Sequence, residues 1–187
     1  MHIFNFLYLA RQSFFRKINK NFYSQFGEDR VLKEILKKNI NKGFYVDVGC
    51  YHPKKHSNTY LLYKKGWRGI NIDIEKNKIE VFRMSRPDDI NILDAVSDKK
   101  RSVKVHKTQD YGVGSKIIDN TKTKKNFKTL VTKTLNEVIE KTIYKNRRID
   151  LLNIDTEGED LNVLKSLNIK KYNPSIIIIE SHLTSIN

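Results

Sequence analysis

Apolar residues recur along this chain with two periods. After Ser24-Gln25-Phe26-Gly27-Glu28-Asp29, whose acids suit a helix N-terminus, Val31, Leu32, Ile35 and Leu36 return at helical spacing. Residues 43–49, Gly-Phe-Tyr-Val-Asp-Val-Gly, read as a buried strand that breaks at a glycine. Residues 60–63 predict a helix stopped by Gly66, 69–74 a second strand, 77–84 a second helix and 90–96 a third strand. A short extra strand is expected over 101–106. Residues 108–128 lack periodicity and are rich in Lys, Thr, Asn and Gly, which predicts a mobile loop. Leu135, Val138 and Ile139 mark a helix, 149–154 a strand, Leu161, Val163 and Leu164 a helix, and 175–180 a strand. Strands alternating with helices predict an α/β fold. Its sheet should be doubly wound and mostly parallel, with helices on both faces and ligands outside the carboxyl ends of the strands.

Both ends of the chain carry separate expectations. Residues 1–20 pattern as a basic amphipathic helix, too short to span a bilayer and with its charges following the apolar part, the wrong order for a signal peptide. We therefore divide the chain into an N-terminal helix, 1–22, and a domain, 23–187. The helix would pack on the domain or lie on an anionic membrane surface. The isoleucines at 176–179 make a strand that wants both faces covered and a neighbour on each side. The C-terminal strands that would do this are missing from the sequence pattern. Cover would come from polypeptide beyond Asn187, from the N-terminal helix, or from another chain in a homo-oligomer.

Composition narrows the classes. With 187 residues, 39% hydrophobic and 30% charged, the chain can build one core. A single cysteine, Cys50, excludes a disulfide framework and a Cys-rich zinc module, so no metal site is expected from it. It fits a reducing compartment, hence a cytoplasmic protein, peripheral at a membrane if residues 1–20 bind one. The net charge of +15 is spread over the chain, and its densest runs (Lys54-Lys55, Lys99-Lys100-Arg101, 122–128 and 145–148) read as solvated loops and helix ends. Without a clustered basic and aromatic surface, nucleic acid is a disfavoured partner.

Candidate chemistry gathers at the predicted strand ends. Gly49, with Asp47 and Cys50 beside it, would let the backbone approach a bound nucleoside. The bulky residues and Pro53 that follow do not make the G-x-G-x-x-G turn that seats a pyrophosphate, which disfavours NAD or FAD. Asp73 lies 26 positions after Asp47 at the end of the second strand. There an acid can accept hydrogen bonds from both ribose hydroxyls; a helix cap is the plain alternative, and Glu75 could exchange roles with it. After the 149–154 strand come Asp155-Thr156-Glu157-Gly158-Glu159-Asp160. Asp155 or Thr156 could cap the next helix, with Glu159 and Asp160 left in solvent. Asp155, at a strand end in a cleft, is also a candidate general base, with His182 from the next strand end as an assistant.

The series Tyr23-Ser24-Gln25-Phe26-Gly27-Glu28-Asp29, Val46-Asp47-Val48-Gly49-Cys50-Tyr51-His52-Pro53, Ser57-Asn58-Thr59, Gly66-Trp67-Arg68-Gly69-Ile70-Asn71-Ile72-Asp73, Arg86-Pro87, Ala95-Val96-Ser97 and Ile154-Asp155-Thr156-Glu157-Gly158 resembles the FkbM family of methyltransferases, in order, over about residues 22 to 181. The resemblance implies a class I, Rossmann-like fold that binds S-adenosylmethionine (SAM) and methylates a hydroxyl on a sugar, glycan or small metabolite. It implies that Asp47, Gly49 and Cys50 lie under the cofactor, Asp73 on its ribose, and Asp94, Ala95 and Val96 near its adenine. Asp155 and Glu157 would face the methyl group and the acceptor. Gln25, Glu28, His52, Ser57 and Asn58 could close over the ligand and orient the acceptor, or serve only as a helix cap and a polar turn. Cys50 stands where the family commonly has alanine. Three rival readings remain: a SAM-fold protein that binds without catalysis, a nucleic-acid methyltransferase that would use the positive charge, and a membrane- or polyanion-associated protein using its basic surface.

Overall fold

The computed structural model describes residues 22–37, 42–106, 117–118 and 127–180. The predicted N-terminal helix and His182 lie outside these residues. The described elements run, in chain order, α1 (Glu28–Ile35), β1 (Phe44–Val48), α2 (Tyr60–Lys64), β2 (Arg68–Asp73), α3 (Lys76–Ser85), β3 (Ile90–Leu93), β4 (Ala95–Val96), β5 (Ser102–His106), β6 (Ile117–Ile118), β7 (Phe127–Lys133), α4 (Leu135–Glu140), β8 (Leu151–Ile154), α5 (Asp160–Lys165), α6 (Ile169–Tyr172) and β9 (Ile176–Ile179).

Five strands form one parallel sheet in the order β3-β2-β1-β8-β9. Every residue of β1 is buried because the strand is central and covered on both faces. Phe44, Val46, Val48, Ile70, Ile72, Leu152 and Ile154 face one side, where Leu135, Val138 and Ile139 of α4, Val163 of α5, and Leu167 and Tyr172 pack on them. Tyr45 and Leu151 face the other side, against Leu32 of α1, Leu62 of α2 and Trp67. Burying each such side chain contributes about 1.5–3 kcal/mol. The chain is therefore α/β and doubly wound, as its pattern predicts. Among the described residues no helix is long and apolar enough to cross a membrane.

Three parts depart from the sequence reading. The expected strand over 90–96 is broken at Asp94: β3 stays in the main sheet, and β4 moves to a second sheet in the order β4-β7-β5-β6. Strands β6 and the start of β7 fall inside the segment expected to be a mobile loop. In β7 the polar Thr132 is fully buried, its Oγ accepting from Arg101 N and donating to Lys99 O, while Val131 is exposed, so hydropathy alone conceals the strand. In β9, Ile176 and Ile178 pack on the α1–α2 side, and Ile177 and Ile179 are exposed on the other.

Candidate functional site

The carboxyl ends of the parallel strands open onto a cavity of about 310 Å³. Val48 and Gly49 end β1, Ile72, Asp73 and Ile74 end β2, Asp94, Ala95 and Val96 follow β3, and Asp155, Thr156 and Glu157 follow β8, all on its wall. Gln25, Tyr51, His56, Lys78 and Glu159 complete the lining. Of the described non-glycine residues with positive φ, Tyr51 (43°), His56 (51°) and Glu157 (55°) all line this cavity, whereas Asn173 only closes a helix. Such backbone strain, of order 1–3 kcal/mol each, concentrates at functional sites.

Gly49 has a requirement that sequence does not disclose. At φ 80° its missing Cβ would stand 1.7 Å from the Asp155 carbonyl oxygen. The glycine thus lets the β1 turn and the post-β8 turn touch. Asp155 N donates to Val48 O at 2.9 Å, which ties the two turns together. Asp155 is an exposed residue on the cavity wall. Its carboxyl is pushed up to about 7, chiefly by desolvation, then by the charge and hydrogen bond of Glu180, with Glu157 and Asp160 adding to the rise. Glu180 arrives there because β8 and β9 pair in register, Ile154 opposite Ile179, and Glu180 N donates to Ile154 O at 3.0 Å.

Asp160 is buried rather than solvated: its oxygens accept from Thr156 N at 2.7 Å and Gly158 N at 3.0 Å, folding the acidic turn back on itself. Glu159 is likewise drawn out of solvent, into the cavity wall, by Ser97 Oγ and by Arg101 Nη2 at 3.0 Å. Asp94 receives Lys133 Nζ from β7, so the second sheet buttresses the first at the cavity. Asp73 accepts Glu75 N at 2.8 Å and Lys78 Nζ at 3.1 Å. Burial pushes the Lys78 ammonium toward its neutral form, but the Asp73 charge and hydrogen bond prevail and hold it above the ordinary lysine value.

The remaining candidates stand outside the lining. Asp47 is buried, accepting from Thr59 Oγ at 2.7 Å and Asn153 Nδ2 at 2.8 Å; burial raises its pKa, against the lowering effect of those bonds and of Arg86. Asn58 donates to the same Asn153, at 2.9 Å. Ser57 Oγ accepts from Arg86 Nη2 at 2.7 Å and from Tyr60 N. His52 is buried with Nδ1 accepting from Lys54 N and Lys55 N. Cys50 packs with Ile79 and Phe82, and burial holds its thiol well above the ordinary value. Glu28 accepts from Phe26 N, and its neighbour Asp29 binds Ser24 Oγ and Tyr23 N, a knot that presents Gln25 to the cavity.

Sequence reasoning passed over Tyr51, His56, Lys78 and Glu159 as site residues. The five-residue step from Asp73 to Lys78, one turn into α3, is the one signal that could have found the lysine. Fully buried Arg86 was noticed only as part of a motif. Its guanidinium donates to Pro53 O, to Ser57 Oγ and, at 2.9 Å, to Thr59 Oγ, and so shapes the turn between β1 and α2. Among the described residues no group of three or more His, Cys, Asp or Glu is arranged to hold a metal ion.

Compared with known proteins, residues 47–186 match a family described as "Methyltransferase FkbM domain". No curated protein and no solved structure matches the chain.

Proposed function

This chain belongs to the FkbM family of methyltransferases, and from that premise we propose that it transfers a methyl group from SAM to a hydroxyl of a sugar, glycan or small metabolite. The observation that carries the reading is the convergence of four strand ends on one cavity whose lining combines apolar residues with carboxylates. Ile72, Ile74, Ala95 and Val96 offer walls for a flat base, beside Asp94. Asp73 keeps acceptor capacity for a ribose diol: a carboxylate has about four acceptor sites, and the structure uses two of them. Bound there, SAM supplies a methyl carbon made electrophilic by its sulfonium charge.

The protein's share is positioning and proton removal. Holding an acceptor oxygen in line and close contributes about 7–11 kcal/mol. An alcohol keeps its proton at neutral pH, so a base within reach adds about 10²–10⁴-fold. Asp155 has the place and a proton affinity matched to that task, and Glu157 borders the same space. Gln25 and His56 line the cavity as polar groups able to orient the acceptor.

Calorimetric titration of the purified chain with SAM, followed by mass spectrometry of hydroxylated acceptors incubated with both, tests the proposal. Saturable SAM binding and a mass gain of one methylene on the acceptor are expected. Absence of SAM binding at millimolar concentration would end the reading, and binding without any methylation across sugars and glycans would favour the non-catalytic alternative.

A further inference from the structure

Lys78 and Asp73 form a buried ion pair, with side chains 8% and 4% exposed, on the wall of the cavity. Such a pair is a weak source of stability, because desolvating two charges offsets their attraction. It calls for another reason to be there. The ring of Tyr51 lies over the ammonium, 5.1 Å from Nζ to its centroid, and Tyr51 holds a left-handed backbone to put it there. Glu75 N fixes one carboxylate oxygen and Lys78 the other, so the remaining lone pairs have a set direction. The neighbouring titratable groups are Glu75 on the same turn, Cys50 after β1 and Asp94, whose N donates to Asp73 O. Lys133 pairs with Asp94, and Lys78 is the cation paired with Asp73.

We propose that Lys78 is a positioning residue for the nucleoside subsite: its ammonium, capped by Tyr51, holds the buried Asp73 carboxylate in place and aimed at the ribose diol. This rests on the reading that the cavity takes SAM with its ribose on Asp73. Lys78 acts through Asp73 and makes no methyl-transfer chemistry of its own. Without the ammonium, one carboxylate oxygen keeps its backbone donor and the other loses its fixed partner, so the direction of the carboxylate toward the diol is no longer set.

The test is calorimetric titration of the full chain with SAM and with adenosine at one fixed pH. Lys78→Met should weaken both ligands about tenfold. Lys78→Arg, which keeps the charge, should recover most of the affinity. In an Asp73→Asn background, Lys78→Met should change affinity no further, since coupled residues are non-additive. This double variant also carries no unpaired buried charge, which keeps the test usable if Lys78→Met alone does not fold. An equal loss from Lys78→Met in both backgrounds overturns the proposal. Asp73→Ala separates it from its premise. If Asp73→Ala binds SAM as well as the parent, the ribose reading itself fails; if it binds weakly while Lys78→Met binds normally, only the role of Lys78 fails.

Discussion

Gly49→Ala perturbs the closest approach in the site. The new Cβ would stand 1.7 Å from the Asp155 carbonyl oxygen and 2.6 Å from its carbonyl carbon. An ordinary carbon–oxygen contact begins near 3.3 Å, so the two turns must part by about 1.6 Å. The same residue would sit at φ 80°, a left-handed conformation that costs an L-residue about 1–2 kcal/mol. Overpacking adds about 1–3 kcal/mol, for a total loss on the order of 2–5 kcal/mol. In a chain of this size that corresponds to a fall in Tm on the order of 10 °C. Displacing Asp155 by even 1 Å should also lower turnover about 10²-fold. Gly27→Ala is the control: at φ 95° it meets the same backbone strain, but no heavy atom lies within 4 Å of its added Cβ. Thermal melts followed by circular dichroism, with turnover at saturating SAM, should show Gly49→Ala far worse than Gly27→Ala on both measures. If the two variants melt together and both turn over like the parent, the contact between Gly49 and Asp155 is not what the glycine is for.

Asp155→Asn should cut turnover about 10²–10⁴-fold and leave SAM affinity nearly unchanged by calorimetry. In the parent, the rate should climb as pH rises through about 7, where Asp155 loses its proton, and Glu180→Gln should move that limb to lower pH. The folded-state value lies above that of an unfolded carboxylate, so the stability this group contributes at acid pH is lost as pH rises through about 7; Asp155→Asn should flatten that slope in urea titrations. Arg86→Met removes donors from Pro53 O, Ser57 Oγ and Thr59 Oγ and the positive charge near buried Asp47 and Asp89. It should cost about 3–5 kcal/mol in chemical denaturation, and Arg86→Lys should recover little because one ammonium cannot span those acceptors. Thr134→Ala breaks the capping box that Thr134 forms with Glu137 at the start of α4, an expected loss of about 0.5–2 kcal/mol by the same measurement, with SAM affinity unchanged.

The alternation of strands and helices was readable from the linear pattern because the central strands are covered on both faces and so spell largely apolar runs, broken only by Asp47 in β1 and Asn153 in β8. The doubly wound arrangement follows from that alternation, and so does the placing of Gly49, Asp73, Asp94 and Asp155 at strand ends. Strand β7 escaped because it inverts the hydropathic code, with a threonine inside satisfied by backbone carbonyls and a valine outside. The break at Asp94 escaped because the ion pair of that residue with Lys133, on the other sheet, is not visible in the local pattern.

Side-chain direction was the other limit. A residue's parity along a strand tells which face it meets, yet not what waits there. The family resemblance implies that Asp47 lies under the cofactor, and the fold adds what no local pattern discloses, hydrogen bonds from Thr59 and from Asn153, 106 positions away. Asp73 carries its charge beside Lys78, and Asp155 shares its surroundings with Glu180 from the neighbouring strand. Hydrogen-bond and ion partners depend on distances of about 3 Å between segments remote in sequence, and only the folded backbone sets those distances. Thus the chain's periodicity determined the scaffold and the edge of the sheet where chemistry gathers, whereas tertiary packing decided which of the acids there are structural ties and which border the cavity.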